Sequence, residues 1–207
     1  MKTKIITVLA VLFTITFQAQ AAYVLTFDDI GEVTDESLPV PNGYGGFNWG
    51  NLAVGAFYYT KPTILYPNTG YENGIVSGDY VAFCTSYGTP GLGRITGDTF
   101  TFNGAFLTAG WRDGLNVQVD GYLNNNLTYT TTVVIDTTGP TWYQFNYSNI
   151  DELRFNASGG TQHEGYEYDM EHFVIDNFTY IPEPATILLL SLGAVLLRKR
   201  HSLKLKS

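Results

Sequence analysis

Residues 115–135 read LNVQVDGYLNNNLTYTTTVVI, and this stretch determines the class of fold. Apolar side chains alternate with polar ones from Leu115 to Val119, and a period of two returns from Leu127 to Ile135 in β-branched and aromatic residues. This period, with these residue types, is typical of half-buried β-strands. No helix-period stretch of useful length occurs in residues 22–180, so we expect the strand pattern to extend outward in both directions.

Turn residues separate the strand-like segments. Asn103-Gly104 stands between two apolar runs, which predicts a tight hairpin at that point. Asp113-Gly114, Asp120-Gly121 and Gly139-Pro140 predict further turns or bulges. The candidate strands are Tyr23–Phe27, Gly46–Trp49, Tyr80–Ser86, Thr99–Asn103, Ala105–Trp111, Leu115–Asp120, Leu127–Ile135, Trp142–Asn146, Glu152–Asn156 and His172–Tyr180. Short strands without intervening helices predict an all-β fold, an antiparallel two-sheet sandwich of jelly-roll type, with a closed barrel as the alternative.

Composition sets the size and the charge of this β-rich region. The chain has 207 residues, of which 44% are hydrophobic and 15% aromatic, and this suits one domain with a packed core. Residues 22–180 contain four basic and eighteen acidic side chains, a net formal charge of −14. A domain with that charge has no electrostatic attraction to nucleic acid or to an anionic membrane, whereas it attracts cations.

The first 21 residues have the three parts of a secretion signal. Lys2 and Lys4 precede the apolar run Ile5–Phe17, and Ala19-Gln20-Ala21 ends the segment with small residues. This run is shorter than the roughly 20 residues that span a bilayer. We therefore interpret residues 1–21 as a cleavable signal helix, which requires the Sec translocon and signal peptidase as partners.

Three consecutive parts make up the C-terminal segment, residues 181–207. Pro182-Glu183-Pro184 comes first, Ala185–Leu197 is apolar, and Arg198-Lys199-Arg200 opens a basic tail. At about 1.5 Å per residue the apolar helix is about 20 Å long, which makes it a marginal membrane span. Basic residues after such a helix keep the tail in the cytoplasm and leave the preceding domain outside.

These three parts, in this order, resemble the PEP-CTERM sorting signal carried by exosortase substrates. The resemblance covers residues 181–200 and implies a Gram-negative host, a precursor anchored in the inner membrane, and export to the cell surface or the extracellular matrix. It also implies an exosortase-type enzyme as a partner, with the hydrophobic segment removed during sorting. A simple tail anchor that contains Pro-Glu-Pro by chance is the alternative.

Short motifs within residues 22–180 carry a second resemblance. Phe27-Asp28-Asp29, Gly74–Gly78 and Phe173–Asn177 look like the β-sandwich domains common among PEP-CTERM proteins, and they are similar to carbohydrate-binding-module jelly rolls. This resemblance implies that acidic residues of the first and last strands hold a structural calcium ion.

Asp28, Asp29 and Asp176 are accordingly the candidate calcium ligands. Two or three carboxylates together with backbone carbonyls satisfy a site of roughly six to eight oxygen ligands. Terminal strands lie side by side in many sandwiches, so these residues are able to meet. The alternative is that the three carboxylates face solvent or cap turns.

Aromatic residues beside polar groups are the candidate ligand-binding surface. Sugar rings stack on flat aromatic faces, while neighbouring polar groups bond the sugar hydroxyls. Trp49 is one candidate. The run Trp111-Arg112-Asp113 is the other, because it joins a stacking ring, a forked donor and an acceptor near a strand end. The alternative for each aromatic residue is a place in the core.

Two remaining features predict structure rather than chemistry. The stretch His163–His172 is rich in acids but lacks the His-Glu-x-x-His spacing of a metal site, and Gly159-Gly160 precedes it. We expect an exposed, mobile, acidic loop there. Cys84 is the single cysteine, which predicts a buried thiol without a disulfide partner.

The sequence contains no nucleophile elbow, phosphate loop or Cys–His pairing signal. We therefore expect a non-catalytic, exported protein that associates with extracellular polysaccharide. Two alternatives stay open: a purely structural biofilm or sheath protein with no defined ligand, and a hydrolase acting on glycans. The hydrolase would need two carboxylates that are paired in space rather than in sequence.

Overall fold

The computed structural model describes residues 21–51, 55–85 and 91–183. Strands account for 58% of the structure, which confirms the all-β prediction. The signal helix, the apolar run and the basic residues from Arg198 to Arg200 lie outside the described residues, as does Pro184. Within the described ranges, no helix is long and apolar enough to cross a membrane.

The described residues form ten strands and two short helices. The strands are β1 (Tyr23–Leu25), β2 (Leu38–Pro39), β3 (Gly50–Asn51), β4 (Gly55–Thr60), β5 (Val81–Thr85), β6 (Leu92–Ala109), β7 (Arg112–Leu123), β8 (Asn126–Ile135), β9 (Thr141–Gln162) and β10 (Phe173–Pro182). The helices are α1 (Pro62–Leu65) and α2 (Gly70–Asn73), preceded by a 3₁₀ turn at Tyr44–Gly46.

All strand pairs are antiparallel, and the strand order is β2-β4-β5-β10-β6-β9-β7-β8, with β1 added to β10 and β3 to β4. The two long strands β6 and β9 pair from Leu92 to Leu107, and their register shifts repeatedly between Thr96 and Gly104. The later part of β6 pairs with β10, whereas the later part of β9 pairs with β7. Because bulges bend both strands, each contributes to both layers of the sandwich.

Contacts across the interior show that the sheet folds back on itself. Phe57 of β4 packs edge-on against Phe155 of β9 with ring centroids 5.7 Å apart, although three strands separate β4 from β9 in the sheet order. Phe102 and Phe178 stack at 4.8 Å deeper in the same core. Each of these side chains is almost fully buried, and each contributes about 1.5–3 kcal/mol through removal of apolar surface from water.

The hairpin predicted at Asn103-Gly104 is wrong. Both residues lie inside β6, where the register with β9 and β10 shifts. The indole of Trp142 lies over Gly104, and a Cβ at that position would come within 2.7 Å of the indole Cζ2 atom. The glycine therefore permits a close approach of side chain to backbone rather than a chain reversal.

The chain reverses between β7 and β8 at Asn124 and Asn125. Both residues have positive φ angles, 49° and 63°, which is the backbone geometry of the two-residue turns that suit hairpins. Asp120-Gly121 lies within β7 beside a register shift, as a predicted bulge would. Gly139-Pro140 lies in the turn between β8 and β9, which confirms that prediction.

Candidate functional site

The three motifs that carry the jelly-roll resemblance meet at one point of the fold. Asp176 of β10 is fully buried, and its Oδ2 accepts hydrogen bonds from the backbone N–H groups of Val76 (2.8 Å) and Ser77 (3.0 Å). Its Oδ1 accepts from the N–H of Asn177 at 2.6 Å. Asp28 Oδ1 accepts from the N–H groups of Asp79 (2.7 Å) and Tyr80 (3.1 Å) in the same segment.

The segment from Val76 to Tyr80 is therefore held at both ends by carboxylates from opposite termini of the domain. Gly78 stands between the two attachment points with a φ of +60°, and a Cβ there would overlap the Asp28 carboxylate. We call the contacts of Asp28 and Asp176 with residues 76–80 the junction. Asp29 lies outside the junction, because its Oδ1 accepts the hydroxyl of Tyr44 at 2.7 Å. The three predicted calcium ligands thus divide into two carboxylates at the junction and one outside it.

The junction is an acidic site that is already hydrogen-bonded to the backbone. Burial raises the pKa of Asp176 to about 6, against the effect of its three backbone hydrogen bonds, and the charge of Asp28 adds to the rise. Among the described residues, no three His, Cys, Asp or Glu side chains are grouped closely enough to hold a metal ion. Calcium binding at Asp28, Asp29 and Asp176 stays a prediction.

Trp49 lies in the core and offers no face to a ligand. Its side chain is 1% exposed and packs edge-on against Phe27, Phe57 and Phe178. Its indole N–H donates to the carbonyl oxygen of Tyr44 at 3.0 Å. This placement corrects the assignment of Trp49 to a sugar-binding surface.

Trp111 forms the centre of a second aromatic group, on the outer side of the sheet. Its side chain is 4% exposed, in the short connection between β6 and β7. Four tyrosine rings surround it at centroid distances of 5.1–6.1 Å, and together with Trp111 we call them the Trp111 cluster; they are Tyr66, Tyr71, Tyr166 and Tyr168. Trp111 therefore supports the rings of this cluster and is not itself the exposed stacking platform that the sequence predicted.

Arg112 attaches the acidic stretch 163–172 to the cluster. Its Nε donates to Asp169 at 2.6 Å, and its Nη1 donates to Glu171 at 3.3 Å and to the carbonyl of Gly159 at 3.0 Å. Glu171 Oε1 also accepts the N–H of Gly159 at 2.9 Å. Arg112 thus serves in ion pairs that hold the loop against the sheet.

Gly159 and Gly160 are strand residues rather than the start of a mobile loop. Both belong to β9 and have positive φ angles, 75° and 69°. Gly159 pairs with Leu115 of β7, and a Cβ at Gly160 would approach the carbonyl oxygen of Asp113 within 2.8 Å. The two glycines supply positive φ angles at the end of β9 without a shift in its register with β7, and the acidic loop begins after Gln162.

Asp113 orients His163 beside the cluster. Asp113 Oδ2 lies 2.6 Å from His163 Nδ1, and Asp113 Oδ1 accepts from the hydroxyl (2.6 Å) and the N–H (3.0 Å) of Thr137. Burial alone would raise the pKa of Asp113, but the hydrogen bonds from Thr137 and His163 outweigh it and lower that pKa. An ionised carboxylate at Nδ1 requires a proton on Nδ1, so neutral His163 carries its free lone pair on Nε2.

A tyrosine–histidine pair forms the buried base of the Trp111 cluster. Tyr71 is almost fully buried, and its hydroxyl lies 2.8 Å from Nδ1 of His172. Burial lowers the pKa of His172 to about 4, so this imidazole is neutral and shares a hydrogen bond with the tyrosine hydroxyl. The indole nitrogen of Trp111 is buried without a hydrogen-bond partner among the described residues.

The solvent-facing part of the site comes from the loop. Tyr168 is 42% exposed and Met170 41% exposed, while Tyr66 and Tyr166 are half-buried. Sequence reasoning assigned this stretch to a loop without a site, so it missed the tyrosines. The sequence did contain a signal for an apolar face that was not used: Tyr166, Tyr168 and Met170 alternate with acidic residues.

Comparison with known proteins finds solved structures but no family. No protein-family model matches the sequence, and no curated protein is similar to it. Structures of DUF4465 family proteins from Bacteroides caccae ATCC 43185 and Bacteroides ovatus ATCC 8483 are similar, with 13% and 12% identity and TM-scores of 0.49 and 0.44. The alignments cover 83% and 79% of this chain and 97% and 99% of those chains.

The structure of TmCBM61 in complex with β-1,4-galactotriose is also similar. It has 9% identity and a TM-score of 0.36, and the alignment covers 69% of this chain and 95% of that chain.

Proposed function

We propose that the protein is a non-catalytic, extracellular binding domain for polysaccharide, and that the Trp111 cluster is its binding surface. One observation carries this proposal: Tyr168 is exposed, backed edge-on by the buried Trp111 at 5.1 Å, and bordered by polar groups. A ring held in place by a buried neighbour loses little entropy when a sugar stacks on it.

The loop that carries Tyr168 also carries polar groups that can bond the hydroxyl groups of a sugar. The ring of His163 has a fixed orientation, because Asp113 and Thr137 contact Nδ1, and Nε2 is left for a hydrogen bond to a ligand. Asp169 and Glu171 have further acceptor capacity beyond their bonds to Arg112. With Glu164 and Glu167 in the same loop, the surface is acidic. We therefore expect neutral or amino sugars as ligands rather than uronic acids, which like charges would repel.

Replacement of Tyr168 tests the proposal. The protein is screened on an array of neutral, amino and uronic-acid oligosaccharides, and the best binder is then titrated by calorimetry. Loss of one stacking ring costs about 1 kcal/mol, which weakens binding about fivefold in Tyr168→Ala. Tyr23→Ala is the matched control, since Tyr23 is 54% exposed and its ring contacts the ring of Tyr180. Equal affinity of both variants, or no saturable binding, would exclude this surface.

Absence of catalysis is part of the proposal and needs its own measurement. Prolonged incubation with the best-binding oligosaccharide should release no reducing ends. Turnover that a single Asp or Glu substitution abolishes would instead establish a hydrolase with a carboxylate pair. A protein that binds no sugar and degrades none would support the structural role in a biofilm or sheath.

Export and sorting are proposed from the two termini of the sequence. We expect the protein from its native host to lack residues 1–21 and the segment that follows Pro-Glu-Pro. Intact-mass measurement of the native protein and of a Pro182→Ala/Pro184→Ala variant tests this. An unprocessed C-terminus on the native protein would mean that the tail is a simple membrane anchor and not a sorting signal. Glu183 N–H already donates to the Thr99 carbonyl at 3.0 Å, so the motif begins directly at the end of β10.

A further inference from the structure

A second exposed aromatic ring lies away from the Trp111 cluster. Trp142 of β9 is 38% exposed and stands directly opposite Phe106 of β6. Its ring meets the ring of Phe106 edge-on, with centroids 5.3 Å apart. Among the described residues, Phe106 is the only aromatic partner of Trp142. No ring contact in this part of the chain therefore joins Trp142 to the cluster.

Gly104 fixes the position of this indole. It lies diagonal to Trp142, because it pairs with Gln144, two residues further along β9. A Cβ at Gly104 would come within 2.7 Å of the indole Cζ2 atom and 3.0 Å of Cη2, so the ring packs directly on the glycine backbone. With one face on Gly104 and one edge against Phe106, the exposed part of the indole lies mainly on its opposite face. A ring that the fold already holds in place loses little entropy when a ligand stacks on it.

The strands around this indole are uncharged, although the domain is strongly acidic. Residues 99–109 of β6 and 141–150 of β9 contain no Asp, Glu, Lys or Arg. On the neighbouring strand β10, Asp176 pairs with Phe106, but its side chain is fully buried. Eighteen acidic side chains elsewhere in residues 22–180 therefore leave this part of the sheet neutral, which favours an uncharged ligand.

Size and polarity identify that ligand. An exposed fraction of 38% is roughly 100 Å² of indole surface. This is far less than the about 800 Å² per partner that a stable protein interface buries, whereas it matches the apolar face of a single sugar ring. Gln144 is exposed and projects from the same face of β9 as Trp142, because side chains alternate along a strand. Its amide both donates and accepts hydrogen bonds, as sugar hydroxyl groups require.

We propose that Trp142 is a second sugar-stacking site, which takes the apolar face of a neutral hexopyranose. The inference rests on the proposed function, polysaccharide binding, but places a site outside the Trp111 cluster. The two surfaces differ in charge, since the loop of the cluster carries Glu164, Glu167 and Asp169. The Trp142 site therefore has no preference for cationic amino sugars over neutral ones, and its affinity does not depend on salt concentration.

Acrylamide quenching of tryptophan fluorescence tests the site in the full-length protein. Of the three tryptophans, Trp49 and Trp111 are buried, so quenching reports on Trp142. The probes are neutral trisaccharides of glucose, galactose and N-acetylglucosamine. A saturating concentration of a bound probe should lower the quenching constant at least about twofold, because the sugar covers the exposed face of the indole. Trp142→Phe keeps a flat ring on Gly104 and should remove this ligand-dependent signal.

Two variants separate this site from the Trp111 cluster. In Tyr168→Ala the probe should still protect Trp142 from acrylamide, because the two sites are independent. Addition of Trp142→Ala to Tyr168→Ala should then weaken the remaining affinity at least about fivefold in calorimetry. Addition of Tyr23→Ala to Tyr168→Ala is the matched control and should leave that affinity unchanged, since Tyr23 is an exposed ring elsewhere on the protein. Circular dichroism checks that each variant folds, and the quenching of the wild type decides the question if Trp142→Ala does not fold.

The outcomes distinguish this inference from the proposed function. Protection that persists in Tyr168→Ala supports a separate Trp142 site. If calorimetry detects a bound sugar that does not protect Trp142, or if protection is lost in Tyr168→Ala, the inference is overturned and the proposed function stands. A purely structural role of Trp142 as a cover for Gly104 gives the first of these results. A wild type without saturable binding of any sugar would overturn both.

Discussion

The pH dependence of stability at Asp176 distinguishes a protonated carboxyl at the junction from a calcium-binding carboxylate. Asp176 is fully buried with a pKa of about 6, against an ordinary value of 3.8. A carboxyl whose pKa is raised in the folded state contributes full stability below the unfolded pKa, and this contribution is lost as the pH rises through the folded pKa. Acidification should therefore stabilise the wild type relative to Asp176→Asn, whose amide does not titrate.

The magnitude follows from the two pKa values. Between about pH 7.5 and about pH 4.5, the wild type should gain about 2 kcal/mol of unfolding free energy relative to Asp176→Asn. Urea denaturation followed by tryptophan fluorescence measures this, because Trp49 and Trp111 are both buried. Both proteins are measured in EDTA at each pH, so that other titrating groups cancel in the difference. Asp29→Asn serves as the control at an exposed carboxylate.

Calcium would reverse the sign of this effect. A bound cation favours the ionised carboxylate, so in calcium the wild type should lose stability relative to Asp176→Asn as the pH falls. Calcium should also raise the unfolding midpoint at neutral pH, and EDTA should remove that rise. A stability difference that is independent of pH in EDTA would refute the assignment of Asp176 as the buried, proton-binding group of the junction.

Three further predictions concern single residues. Gly78→Ala should lower the melting temperature clearly, because the position has a φ of +60° and the new Cβ would overlap Asp28. Gly114→Ala is the control: its φ is +65°, but the new Cβ would have open space, so it should lower the melting temperature less. Arg112→Ala should make the loop 163–172 sensitive to limited proteolysis with a stability loss of at most about 1 kcal/mol, since its ion pairs are partly exposed. Burial raises the pKa of the Cys84 thiol to about 12. Iodoacetamide should therefore label Cys84 in urea but not in the native protein. Labelling at equal rates in both conditions would contradict the burial of this thiol.

Sequence patterning predicted the strands where local alternation is strong. The alternation in residues 115–135 corresponds to the observed hairpin of β7 and β8, because inward and outward side chains on a strand follow a period of two whatever the partner strand is. The same reasoning failed at Asn103-Gly104. An Asn-Gly pair is compatible both with a turn and with a glycine that lies beneath a tryptophan ring. Only the position of Trp142 in the folded protein shows which role Gly104 has.

The sequence predicted where aromatic and polar residues come together more reliably than it predicted what each of these residues contacts. Trp111, Arg112 and Asp113 do lie at a cluster of aromatic and polar groups, yet Trp111 is buried and the other two make ion pairs and hydrogen bonds within the protein. Several of their contacts come from the loop 163–172, about 50 residues further along the chain. No spacing rule in the sequence connects these two segments.

The sequence by itself determined the class of fold and the strongly acidic charge of the domain, because side-chain alternation and composition are local properties. Tertiary structure alone decided which aromatic rings are buried and which carboxylates bind backbone N–H groups. Burial depends on the segments that pack from elsewhere in the chain: Trp49 became core because Phe57 and Phe178 enclose it. Tyr168 became exposed because Trp111 lies beneath it and no described residue covers it.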